Sequence, residues 1–405
     1  MTRTCIIVGA SHAGGQLAIA LRQSGWDGEV LLIGEEPHVP YHRPPLSKEF
    51  LAGKKALNEL FIRPREVYDK ANIRLLTGRR VTAIDRKARR VVLSDGESFA
   101  CDRLALALGS RVRRMNVPGV DLQGVHYLRN VADVDAIRAD MRAGGNAVIV
   151  GGGYIGLETA AILRQSGMNV TVVEALERVM QRVTAPQVSA FYTRVHTEEG
   201  VKIRCGIGVK AFDGTGRIAA VVCGDGGRLP ADLVIIGIGI VPNVELAKEA
   251  GLEVDNGIVV DEFARTSDPD IFAAGDCTNH LNRTYGRRVR LESVQNATDQ
   301  ARAAALAICD KGQPYDALPW FWSDQYDLKL QIAGLSQGHD EVILRGDPAQ
   351  GRGFAAFYFR EGALIAVDAI NRPQEFMAGK KLITERKRVD QARLADPVVA
   401  MRELL

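Results

Sequence analysis

The sequence predicts an α/β fold with two strand–turn–helix units of one kind, followed by a C-terminal α+β domain. Three observations predict it. "CIIVGASHAGGQLA" (5–18) and "AVIVGGGYIGLETA" (147–160) each run a short apolar stretch into a glycine-containing turn and then a helical pattern. Downstream, "GFAAFYF" and "ALIAVDAI" read as strands of a further sheet. A chain of 405 residues is long enough for two or three domains with full cores.

Composition narrows the class. Hydrophobic residues make up 46% and charged residues 25%, an ordinary globular balance; a net charge of +3 is too little to argue for nucleic acid, and no nucleic-acid partner is expected. No apolar run approaches the roughly 20 residues that span a bilayer. The N-terminus enters "TCIIVGA" as a strand, not a cleavable leader, so a cytoplasmic protein without membrane contact is expected. The six cysteines are scattered, with no C-x-x-C, C-x4-C or zinc spacing. His38 and His42 have helical spacing, but Pro40 between them disfavours a helix. No metal site is expected.

The second unit is the cleaner. "NAVIVGGG" is a buried parallel strand feeding glycines, "YIGLETAAILRQSG" a helix ending at a C-cap glycine, and "NVTVVE" a second strand. Gly151, Gly153 and Gly156 fit G-x-G-x-x-G: one for the tight turn, one for backbone approach to a pyrophosphate, one for helix–strand packing. Glu174 closes the second strand about 20 residues on, where a carboxylate binds a ribose 2′-hydroxyl and repels a 2′-phosphate. That favours NAD over NADP, opposed by nearby Arg178 and Arg182. In the first unit the pattern is Gly9, Ser11, Gly14, with Ser in the middle position, and Glu35 or Glu36 ends the second strand "GEVLLIGEE". Both units are therefore Rossmann-like. "TSDPDIFAAGDC" (266–277) adds a strand ending in Gly275 and Asp276, whose carboxylate suits a ribityl hydroxyl.

With that stretch the chain resembles the flavoprotein reductases that bind FAD on the first Rossmann unit and NAD(P)H on the second, a glutathione reductase-like architecture. "LALALGS" (104–110) and "IIGIGIVPN" (235–243) look like the crossings between domains, with Leu108 where the family usually has Thr. "YHRPPLSKEFL", "VTAPQVSAFY", "RLESVQNA" and "PWFWSDQYDLKLQIAGL" narrow the likeness to the putidaredoxin reductase-like ferredoxin reductases of bacterial oxygenase systems. The resemblance implies a hydride passing from NADH to FAD. It implies FAD contacts at Gly9, Ala13, Gly14, Glu35, Arg43, Lys48, Val81, Arg129, Asp276 and Val294. NAD contacts are implied at Gly151, Gly153, Tyr154, Ile155, Gly156, Glu158, Glu174 and Gly239. It also makes Lys48 and Glu158 a catalytic pair at the flavin, the cation stabilising the negative charge that develops on reduction. From the residues alone, Lys48 reads as a solvated loop residue and Glu158 as an acid near a helix start.

Disulfide reductases of this fold carry a C-x4-C, and peroxide reductases one Cys, in the segment equivalent to 38–55, which here has no cysteine. An external acceptor is expected: an acidic 2Fe–2S ferredoxin taking electrons singly and supplying a cytochrome P450 or dioxygenase. Two basic runs could meet it. Residues 376–393 hold six Lys/Arg against two Asp/Glu, and 79–90 six against one. Trp320 and Trp322 would share one face of a strand, and the resemblance makes Trp322 the residue at the flavin's outer edge, catalytic in electron exit. The expected domains are FAD-binding (1–109 and 241–318), NAD-binding (110–240) and C-terminal (319–405), with a loosely held charged tail after Lys387, in a monomer or weak dimer. A rubredoxin reductase, or an NADH-responsive redox sensor akin to apoptosis-inducing factor, stays open.

Overall fold

The structure, a computed structural model, describes residues 3–405. The chain falls into two compact units. One comprises the residues up to His42, Leu57–Arg111 and Ile240–Pro319; the other comprises Arg43–Ala56, Val112–Gly239 and Trp320–Leu405.

The first unit is built on a parallel sheet ordered Ile271–Ala273, Arg103–Leu106, Thr4–Val8, Glu29–Ile33, Ile73–Leu76. Its inner strands Thr4–Val8, Glu29–Ile33 and Arg103–Leu106 each carry a run of buried apolar residues because both faces are covered, while edge strand Ile73–Leu76 exposes Arg74. Cys5, Ile7, Leu32 and Ala105 pack with Leu17 and Leu21 of helix His12–Gln23 and with Ala301, Ala304 and Ala305 of helix Val294–Ile308. Ile6, Val8, Leu31, Ile33 and Leu106 face the other way, toward Val81, Val91 and Leu93 of a three-stranded antiparallel sheet.

The second unit repeats this plan. Its parallel sheet runs Lys202–Arg204, Asn169–Val173, Asn146–Val150, Leu233–Ile236, Val125–Tyr127, and Val209–Asp213, Ala220–Cys223 and Arg228–Pro230 form the antiparallel addition. Beside these lies a five-stranded antiparallel sheet ordered Trp320–Gln325, Leu328–Gly334, Ala363–Ile370, Phe354–Arg360, Glu341–Arg345, with helix Pro373–Thr384 packed on it.

Two expectations meet a different packing. Residues 43–56, placed by sequence with the first unit, pack with the second: Ser47 and Lys48 bind Glu158, and the Arg138 guanidinium lies 4.2 Å from the Phe50 ring centre. The tail beyond Lys387 is not loosely held. Arg345, 5% exposed, donates to the carbonyls of Leu394, Asp396, Pro397 and Val399, while Leu394, Met401 and Leu404 are buried. A buried guanidinium needs several acceptors, and the tail supplies them. Among the described residues, no helix is long and apolar enough to cross a membrane, and no cluster of metal-ligating side chains occurs.

Candidate active site

In the second unit the glycine-containing turn joins strand Asn146–Val150 to helix Tyr154–Gln165. A Cβ on Gly156 would lie 2.0 Å from the Gly151 carbonyl oxygen, so close backbone packing demands that glycine. At Gly153 a Cβ would meet nothing within 4 Å. The protein's own packing does not require glycine there; open space at an uncapped helix N-terminus fits a phosphate cradle. Ile155 beside it is 43% exposed, unusual for isoleucine. Tyr154 turns inward, its ring 4.9 Å from Phe321, and burial holds its phenol well above the usual range. Gly239 has φ +103° with open space around it.

Glu174 accepts from the backbone N–H of Gly152 at 2.6 Å and of Leu176 at 2.8 Å. Besides ending the strand, it therefore clasps the turn. Arg178, the rival to its selectivity, is committed elsewhere: its guanidinium donates to Thr184 O, Ser189 Oγ and Gln181 O. Arg182 is exposed.

Lys48 and Glu158 do meet, with Nζ–Oε2 at 2.7 Å and side chains 11% and 2% exposed. This removes the reading of Lys48 as a solvated loop residue. The turn Pro44–Ser47 presents Ser47 Oγ to Glu158 Oε2 at 2.5 Å, and strand Trp320–Gln325 presents Ser323 Oγ to Oε1 at 2.6 Å. A buried carboxylate is tolerable with such partners. Nearby, Arg43 donates to the Arg129 carbonyl at 2.7 Å, joining two further expected residues.

On the same strand Trp320 and Trp322 share a face, their rings 5.6 Å apart, while Phe321 faces Tyr154. The Lys380 ammonium lies 5.7 Å from the Trp320 ring centre, a cation–π distance. Met377 is 62% exposed, and Lys381, Arg386, Lys387 and Arg388 are exposed, forming a basic margin.

In the first unit a Cβ on Gly9 would lie 2.1 Å from the Ala107 carbonyl oxygen, and one on Gly14 1.8 Å from that of Gly9, the same close packing as in the second unit. Ser11 is the N-cap of helix His12–Gln23 and makes no side-chain cap hydrogen bond, as Gly153 makes none. Ala13 adjoins Gly275, and Asp276 accepts from Ser110 Oγ at 3.0 Å. Val294 opens a helix capped by Ser293. Glu35 pairs with Arg80 at 3.2 Å, whereas the Val81 side chain belongs to the core and its strand pairs with Leu93. These donors and turns fit a dinucleotide with a polyol chain. The basic run 79–90 is largely neutralised within the unit: Arg79 pairs with Asp95 and Glu97, Arg86 with Asp268, Arg89 with Asp270.

Sequence reasoning missed Ser47, Ser323, Gln325, His196 and Ser110 as site residues. Only the proximity of Ser47 to Lys48, and of Ser323 to Trp322, hinted at any of them. The six cysteines are free thiols. Burial pushes Cys101 and Cys277 up to about 11 and Cys5 higher, so these are not thiolates at neutral pH.

Residues 3–301 match the pyridine nucleotide-disulphide oxidoreductase family, and 320–405 match the reductase C-terminal family. The chain is 47% identical to putidaredoxin reductase CamA of Pseudomonas putida, over 99% of this chain and 96% of that protein. It is 46% identical to the 5,5′-dehydrodivanillate O-demethylase ferredoxin reductase subunit of Sphingobium sp. (strain NBRC 103272 / SYK-6), over 99% and 98%. Its fold is similar to the reductase in the covalent putidaredoxin reductase–putidaredoxin complex, with a TM-score of 0.97, 46% identity and coverage of 99% and 98%.

Proposed function

The chain belongs to the pyridine nucleotide-disulphide oxidoreductase family, and from that premise we propose that it is an NADH-dependent flavoprotein reductase. It passes electrons through FAD, one at a time, to a 2Fe–2S ferredoxin that supplies a cytochrome P450 or ring-hydroxylating dioxygenase. The observation that carries this is the buried Lys48–Glu158 pair in a segment without cysteine, where a disulfide reductase would need its thiols. The names of two relatives, a putidaredoxin reductase and a ferredoxin reductase subunit, support the acceptor.

On this reading residues 1–109 and 241–318 form the FAD-binding domain, apart from 43–56, which pack with the second unit; 110–240 form the NAD-binding domain and 319–405 the C-terminal domain. Gly9, Ala13, Gly14, Glu35, Asp276, Val294, Arg43, Arg129 and Val81 hold FAD; Gly151, Gly153, Tyr154, Ile155, Gly156, Glu174 and Gly239 hold NADH. When held by these residues, FAD would supply the redox chemistry that couples a two-electron donor, NADH, to a one-electron carrier. Lys48 supplies a fixed positive charge where negative charge develops, preorganised so that no solvent need rearrange. Glu158 keeps that ammonium oriented. Trp322, on the face shared with Trp320, marks the electron exit. The exposed cations after Met377 steer an acidic carrier. A cytoplasmic setting belongs to the same proposal.

The test is reconstitution: purified protein with FAD should reduce cytochrome c rapidly with NADH only when a 2Fe–2S ferredoxin is added. Equal rates without ferredoxin would contradict the proposed acceptor.

A further inference from the structure

We propose that Ser47, Ser323, Gln325 and His196 are positioning residues for flavin reduction by NADH, forming hydrogen bonds that all point toward Glu158 and fix it, and through it Lys48, in one orientation. This rests on the function proposed above. No electron or proton enters or leaves these residues in that role.

The direction of the chain follows from donor and acceptor chemistry. Glu158, paired with the Lys48 ammonium at 2.7 Å, is a carboxylate and can only accept. Ser323 Oγ, 2.6 Å from Oε1, must therefore donate its one hydrogen to it. Gln325 Nε2, 3.2 Å from Ser323 Oγ, is then the donor to that hydroxyl. This fixes the amide orientation, so Gln325 Oε1 accepts from His196 Nε2 at 2.8 Å. His196 Nδ1 is left bare, with the Tyr326 hydroxyl 3.4 Å away as its donor. Burial lowers the His196 pKa, as a neutral ring with one bare nitrogen requires. On the other carboxylate oxygen, Ser47 donates at 2.5 Å.

Ser47, Ser323, Gln325 and His196 are each at most 1% exposed. Burying four polar side chains is costly unless each is satisfied, and here each donates in a single sense, Ser47 and Ser323 to the anion and Gln325 and His196 along the chain that leads to it. The strand makes this possible: Ser323 and Gln325 are two residues apart and share one face, while Trp320 and Trp322 occupy the other. The polar face thus braces the ion pair behind the tryptophans.

The test uses holoenzyme of Ser323→Ala and of Gln325→Glu, mixed anaerobically with NADH while flavin colour is followed. Gln325→Glu keeps the size of the side chain, but its carboxylate draws the Ser323 hydroxyl away from Glu158. Both variants should lower the limiting rate about tenfold, with the NADH concentration for half-maximal rate changed by less than about twofold. FAD content and thermal unfolding are measured alongside. Wild-type limiting rates in the FAD-bound fraction of both variants would overturn the proposal. So would a loss with Ser323→Ala and none with Gln325→Glu, since the direction of the hydroxyl would then not matter. Wild-type protein that NADH fails to bleach would instead contradict the underlying function.

Discussion

Lys48 Nζ lies 2.7 Å from Glu158 Oε2 with both side chains nearly sealed from solvent, so each charge depends on the other. Removing one partner of such a pair costs about 3 kcal/mol or more, whereas removing both costs far less. Lys48→Met should therefore be less stable than Lys48→Met/Glu158→Gln, while both reduce flavin slowly. Thermal unfolding and stopped-flow reduction check this. A double variant no more stable than the single would mean that water reaches Glu158.

Glu174 binds the turn and, on the proposed function, also selects the cofactor, so Glu174→Ala should act in two ways. The preference for NADH over NADPH narrows, because a repulsive carboxylate is gone. It narrows mainly through weaker NADH use, by about tenfold, because the Gly152 and Leu176 N–H groups lose their acceptor. Steady-state kcat/KM for both cofactors measures it. A large gain with NADPH and no loss with NADH would contradict the clasp.

Asp368 supplies a pH dependence. Burial pushes its carboxyl up to about 7, with Tyr358 Oη donating to Oδ2 at 2.5 Å. Unfolded, an aspartate titrates near 4, so the native state binds this proton more tightly. The stability contributed is fully present below about pH 4 and is lost as pH rises through about 7. Melting temperature should decline between about pH 4 and 7 and level off above that, and Asp368→Asn should flatten that decline, which reaches at most about 1.4 kcal/mol per pH unit. An unchanged slope in the variant would assign the decline to other groups.

The basic margin gives a docking prediction. Lys380 is engaged with Trp320 and Lys387 donates to the Leu405 carbonyl; Lys381 stays half exposed at 4.0 Å from Glu385, so Lys381, Arg386 and Arg388 are the cations to neutralise. Replacing all three with Gln should raise the ferredoxin KM severalfold at low salt and leave ferricyanide reduction unchanged. In wild type, salt should have the same effect, since the Debye length falls from about 10 Å at 0.1 M to about 3 Å at 1 M. Equal losses with both acceptors would indicate damage to the flavin site.

The two nucleotide-binding units were legible because backbone geometry writes itself into sequence. Gly14 and Gly156 sit against carbonyls that leave no room for a side chain. Glu174 was legible as the end of a strand, but not as a clasp, since the Gly152 N–H it binds is set by the fold. The bracing of Glu158 was invisible for the same reason: Ser47, Glu158, His196 and Ser323 come from four separate segments, and none has a local pattern of its own. The tail after Lys387 looked loose because its charges were visible, while the buried Arg345 that holds its carbonyls lies far upstream.

The central claim is that electrons pass from NADH through bound FAD to a one-electron iron–sulfur carrier. Its most direct test is an anaerobic titration of the purified, FAD-loaded protein. One equivalent of NADH should bleach the flavin, and two equivalents of oxidised 2Fe–2S ferredoxin should restore the colour. A flavin that NADH does not bleach, or that ferredoxin cannot reoxidise once bleached, would contradict the account.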